Sequence, residues 1–159
     1  GVEDSGHLVL PSRHPLNEHK WSLVGDGAAT LTAFLLAYSN HNPANSMKRG
    51  WKKRKSATDI NRDLWDGVNS LSDQIEQMAH QELLSLGSVN NWQRSRLEGE
   101  KNLMLIHANF NNQELSLGIR NSGTQAKISV SLRLSSSINI EGLDELVNNL
   151  VNHLKTNMK

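Results

Sequence analysis

The chain has 159 residues, 17 Lys and Arg against 16 Asp and Glu, a formal charge of +1 and 36% hydrophobic residues. These proportions suit one soluble globular domain spanning 1–159 and exclude a disordered chain; at this length roughly 68–70% of the unfolded surface can be hidden, so no covalent staple is needed. Without cysteine there is no disulfide framework, zinc ribbon, thiolate nucleophile or cysteine-ligated cluster.

In chain order, His7–Leu10 and Trp21–Val24 read as short strands or extended arms. Gly25-Asp26-Gly27 is a turn, and Asp26 stands where it would cap a helix from Ala28 to Ser39. That helix is apolar on nearly every side, which predicts burial. The apolar run Ala28–Tyr38 is about 11 residues, against roughly 20 needed to span a bilayer. No transmembrane insertion is expected, and Gly1–Gly6 shows no basic stretch leading into a hydrophobic one. A cytoplasmic or other intracellular location is the expectation, which the sequence does not determine. Residues 40–57 read as a flexible, basic internal loop, opened by Asn40–Ser46 with Pro43 inside it.

Thr58-Asp59 forms a capping pair, and Ile60, Leu64, Val68, Leu71, Ile75 and Met78 recur at helical spacing. The pattern predicts one long central helix ending at Gly87, about 27 residues and roughly 40 Å. Beyond a polar link holding Trp92, Arg94 and Arg96 the period drops to 2. Leu103–Phe110, Gln113–Asn121 and Gln125–Leu134 read as a three-stranded antiparallel meander with turns at Asn111-Asn112 and Asn121-Ser122-Gly123. Alternation in the third strand gives a dry face (Ile128, Val130, Leu132, Leu134) and a wet face (Lys127, Ser129, Ser131, Arg133). A terminal helix from about Asn139 or Glu141 presents Leu143, Leu146, Val147, Leu150, Val151 and Leu154 to the dry face. The fold expected is α+β: a three-stranded meander covered on one face by the long central and C-terminal helices.

The sharpest chemical feature is Lys48-Arg49-Gly50-Trp51-Lys52-Lys53-Arg54-Lys55. Outside it, 11 basic residues face 16 acidic ones, so a near-neutral total hides a strong local positive charge. Clustered Lys and Arg neutralise phosphates and release counterions, and an adjacent indole can stack on an unpaired base. Arg94, Arg96, Arg120, Lys127 and Arg133 are candidates to extend this surface. The expected function is a non-catalytic binding domain contacting nucleic-acid phosphates with little sequence specificity, RNA or single-stranded DNA rather than duplex readout. The same run also fits a solvated or internally paired charge cluster, or a dock for an acidic protein, a membrane surface or a nuclear-import receptor.

The rival reading is an oligomeric or adaptor subunit. Trp65, Leu83, Leu84 and Leu86 widen the apolar stripe of the central helix beyond one face, as a homo-oligomer or protein-partner interface would. An enzyme of unknown class is a third reading, but there is no nucleophile elbow, no phosphate-binding glycine loop and no catalytic residue to name. Seven histidines include no helical pair at metal-ligand spacing, so neither metal nor cofactor is expected. His14-Pro15-Leu16 followed by Trp21 resembles the opening strand of cap-binding translation initiation factors, and Leu115–Asn121 is similar to a later strand there. The likeness covers about 15 of the 159 residues. The tryptophan and acidic residues that hold a cap in that family have no motif-level counterparts, so it implies no site for this chain.

Overall fold

A computed structural model of the protein describes residues 9–14, 16–25, 27–40, 50–100, 102–135 and 141–159. The chain divides into two compact units, residues 1–47 and 48–159. In the first, Val9–His14 (β1) and Asn17–Gly25 (β2) form a two-stranded antiparallel hairpin, where Pro11 is tolerated because each strand has a free edge. Arg13 lies opposite Trp21, its guanidinium 5.6 Å from the ring centroid. Gly27–Ser39 forms the expected helix, α1, but none of its residues is buried. Leu31, Phe34, Leu35, Leu36 and Tyr38 are all more than half exposed. The composition predicts burial, and a two-stranded ribbon offers too little apolar surface to provide it.

The second unit is α+β, as expected, but its sheet has five strands rather than three: Trp51–Thr58 (β3), Val89–Ser95 (β4), Leu103–Phe110 (β5), Gln113–Asn121 (β6) and Lys127–Leu134 (β7). All pairings are antiparallel and the spatial order is β3-β7-β6-β5-β4. The meander β5-β6-β7 is the centre of this sheet, and β5 and β6 run over the expected residues. Their hairpin turns through Asn111 and Asn112, both at positive φ (48° and 62°), the conformation a two-residue primed turn requires.

The added edge strands correct the expected count, and each disguised itself for a physical reason. Residues 51–57, expected within the flexible loop, form most of β3; residues 41–49 of that loop lie outside the described residues. On β3 only Trp51 and Ala57 supply apolar contacts on the covered face, and lysines fill the positions between. In β4 the register shifts between Asn90 and Gln93, with Asn91 at φ 53°. This bulge breaks the alternation a strand is recognised by.

Two helices cover one face of the sheet. Ser70–Leu86 (α2) buries Leu71, Ile75, Ala79 and Leu83, and Leu143–Asn157 (α3) buries all six residues of the predicted stripe. They close over Met104, Ile106, Phe110, Leu115, Leu117, Ile119, Ile128, Val130 and Leu132, every one at most 2% exposed. Each such side chain contributes about 1.5–3 kcal/mol through burial.

The central helix is shorter than the periodicity predicts, 17 residues rather than about 27. Residues 62–64 make a single 3-10 turn. Gly67 then takes φ 77°, and the Asp66 carboxylate accepts hydrogen bonds from the backbone N–H groups of Val68 and Asn69 (2.8 and 2.7 Å). Asn69 caps α2 by accepting from Ser72 N (3.1 Å). Local side-chain bonding by Asp and Asn thus competes successfully with helix continuation. Of the apolar residues upstream, Ile60 and Trp65 remain in the core without being helical, at 5% and 2% exposed, whereas Leu64 and Val68 are exposed, at 39% and 42%. Trp65 donates its indole N–H to the Asn102 carbonyl (3.1 Å), and the Asn121 amide donates to the carbonyls of Arg62 and Trp65.

Candidate nucleic-acid interface

Pairing of β3 with β7 decides where the cations go. Strand alternation sends successive side chains to opposite faces, so the basic run is divided. Trp51, Lys53 and Lys55 share the parity of buried Ala57 and belong to the helix-covered side. Lys52 and Arg54 belong to the face without helices. There Lys52 lies directly opposite Arg133, Arg54 opposite Ser131, and Thr58 opposite Lys127. One strand further in, Ser116 lies beside Arg133, and Arg120 beside Ser129.

The structure therefore assembles Lys52, Arg54, Arg120, Lys127 and Arg133 on three adjacent strands of one face. Lys52, Arg54, Arg120 and Arg133 are exposed and Lys127 is half-buried. The strand positions of this face carry a single carboxylate, Glu114, which with His107, Ser116 and Arg133 lines a hollow of about 320 Å³. Arg120 also meets Glu100, at 3.0 Å from the β4–β5 connection. Among the described residues neither Lys52 nor Lys127 makes an ion pair. Hydroxyls fill the space between the cations: Ser56 and Ser129 hydrogen-bond each other at 2.8 Å.

The remaining sequence-derived candidates lie elsewhere. Lys48 and Arg49 are outside the described residues. Trp51 is partly buried against the core, on the face opposite the cation cluster. Lys53 is held by Asp144 of α3 at 3.0 Å.

Arg94 is a structural clasp. Its guanidinium donates to Asp73 (2.7 Å), Glu76 (2.9 Å), the Gly67 carbonyl (2.7 Å) and Ser72 Oγ (2.9 Å), fastening β4 to the start of α2. Trp92 donates its indole N–H to the other Glu76 oxygen at 2.9 Å, and the His80 ring lies 4.6 Å from the Trp92 ring. Arg94 and Arg96 sit at the β4 edge, four strands and roughly 19 Å from β3. They do not join the cluster.

The expected partner interface is also divided. Trp65 and Leu83 are core residues, 2% and 0% exposed, Leu86 packs partly against the core, and Leu84 alone is exposed, at 51%. The stripe is wide because it meets both the sheet and α3, so its width does not mark a free surface.

Strand register is what sequence reasoning missed. Lys52 and Arg54 had been grouped with Trp51, Lys53 and Lys55 as one run, and only the strand periodicity of 51–58 separates them. Among the described residues of the second unit no Trp, Tyr or Phe occupies the helix-free face: Trp51, Trp65, Trp92 and Phe110 all pack within or against the core, and the one ring on it is the His107 imidazole of β5. No group of three or more His, Asp or Glu there could share a metal ion, and no helix among them is long and apolar enough to cross a membrane. No family model matches the chain, and no curated protein shows significant similarity to it.

Proposed function

We propose that the second unit is a non-catalytic binding module that contacts nucleic-acid phosphates through the helix-free face of its sheet. The observation that carries this reading is the β3–β7 register, which puts Lys52 beside Arg133 and brings Arg54, Lys127 and Arg120 onto the same side. Lys52 and Lys127, which make no ion pair among the described residues, supply charge open to a polyanion laid across these strands. The expected contacts are to phosphate, from Lys and Arg with serine hydroxyls between them, which position a backbone and carry no base information.

The lack of an aromatic platform sharpens the expectation. Sheet surfaces that read single-stranded RNA stack bases on exposed rings, and this face offers no Trp, Tyr or Phe among its described residues and only the His107 imidazole, on β5 outside the three cation-bearing strands. Oligothymidylate and oligoadenylate of equal length should therefore bind within about threefold of each other, since base stacking has no role. Fluorescence anisotropy across a salt series tests the proposal: affinity should fall steeply with salt, and removal of Lys52 or Lys127 should flatten the slope by about 0.7 each.

The assembly-subunit reading rests on a different observation, the exposed Leu31, Phe34, Leu35, Leu36 and Tyr38 of α1. Contiguous apolar side chains of this kind mark interaction sites. Light scattering of the chain before and after Phe34→Ser and Leu35→Ser tests it; a mass unaffected by the changes and equal to one chain counts against self-association.

A further inference from the structure

On the other side of β3, a groove of about 430 Å³ runs between this strand and α3. Its walls are Lys55, Ser56, Ala57 and Thr58 of β3 and Asn148, Val151, Asn152 and Lys155 of α3. The helix residues are spaced at 148, 151, 152 and 155, one continuous stripe. β3 is an edge strand: β7 lies on one side and no described strand on the other. Alternate N–H and C=O groups of an edge strand point away from the sheet, a template for another extended chain.

From this geometry we infer that the β3–α3 groove accepts an extended acidic peptide, added to the sheet as a sixth strand. Three observations fix the chemistry of the occupant. First, the groove walls contain two lysines and no carboxylate, and among the described residues neither Lys55 nor Lys155 makes an ion pair. The chain's own acid, Asp144, is engaged with the preceding covered-side lysine, Lys53, at 3.0 Å. Second, a Lys-rich edge repels neutral or basic edges, so complementarity selects acidic side chains at alternate positions, those facing Lys55 and Lys155. Third, Asn148 carries a buried Oδ1 with no hydrogen-bond partner among the described residues. Such an acceptor is costly, and a donor entering the groove removes that cost once the carboxamide turns towards it. Strand addition beside a helix is an established recognition mode in which main-chain hydrogen bonds supply affinity and side-chain pockets supply specificity. The groove shares Ser56 and Thr58 with the helix-free face but none of that face's five cations, so either proposal can fail alone.

The test uses the full chain, isotope-labelled for amide NMR, and a peptide of alternating Glu and Val as long as β3, 8 residues. Amide shifts confined to Lys55–Thr58 and Asn148–Lys155 are expected. N-methylation of alternate peptide amides should weaken binding about tenfold or more, because it removes ladder hydrogen bonds and leaves the charge intact. Lys55→Glu with Lys155→Glu should do the same. Asn152→Trp, an exposed site on the groove wall, should block entry without changing the charge, with circular dichroism confirming an unchanged fold. Equal binding of the methylated peptide, shifts centred on Lys52, Arg120, Lys127 and Arg133, or no binding at about 1 mM peptide in low salt would overturn the inference. So would competition between oligothymidylate and the peptide, which would make the two surfaces one, or concentration-dependent β3 shifts without peptide, which would mark the edge as a self-association site.

Discussion

The two faces of the five-stranded sheet are made by the same strands, residue by residue in alternation, yet they are organised on opposite terms. On the covered face two cations are held by the chain itself, Arg94 by two carboxylates, a carbonyl and a hydroxyl and Lys53 by Asp144, with Lys55, exposed at the strand edge, the exception. On the helix-free face Arg120 meets Glu100, but Lys52, beside Arg133, and Lys127 make no ion pair among the described residues, and Glu114 is the lone acidic strand position. The difference separates two kinds of cation that look alike in sequence. A guanidinium clasped by its own chain's carboxylates is part of the fold, whereas an ammonium set among other cations is available to an external anion.

Substitutions can test that separation, and the largest effects belong to the covered side. Trp65→Ala should cost about 3–5 kcal/mol in urea denaturation, because the indole is 2% exposed and its N–H is bonded to Asn102. Arg94→Ala should cost about 2–3 kcal/mol, below the cost of a fully buried pair because its side chain is 22% exposed. Arg94→Lys should recover only part of that loss, since an ammonium cannot reproduce the fork. Neither Arg94 variant should alter the salt dependence of oligonucleotide binding; a flattened slope would place Arg94 on the wrong side of the comparison. Gly67→Ala should cost about 1–2 kcal/mol, because φ is 77° and the new Cβ would sit 3.1 Å from the Leu103 backbone. At the small end, Lys52→Ala and Lys127→Ala should change stability by no more than about 0.5 kcal/mol. A melting curve that moved substantially for either would mean that these lysines are structural after all.

The sheet centre was legible because its physics is local. In β5, β6 and β7 the alternation, the Asn-Asn turn and the burial of every second residue all agree. The α3 stripe was readable for the same reason, with each of its six apolar positions buried. β3 was not, since an edge strand under a helix can hold lysines on both sides: their aliphatic stems lie along the surface while their charges reach solvent or Asp144. β4 was hidden by its bulge at Asn91. The overlong central helix arose because Ile60, Leu64 and Val68 continue the helical period while Asp66, Gly67 and Asn69 break the backbone. Of the three apolar residues only Ile60 is buried, while Leu64 and Val68 are exposed, so the period ran on past the end of both the helix and its core contact. As for the site, Arg120, Lys127 and Arg133 were recognisable as a wet face. Their union with Lys52 and Arg54 depends on β3 pairing with β7, a contact across more than 70 residues that no local pattern encodes.

The most direct measurement of the central claim is the salt dependence of oligothymidylate binding to the wild-type chain and to Lys52→Ala/Lys127→Ala. The account predicts a slope of about −3.5 for the wild type, as five phosphate contacts at about 0.7 each on a single strand imply, flattened by roughly 1.4 units in the double variant with its stability intact. A wild-type affinity indifferent to salt, or an equal slope in both proteins, would contradict it.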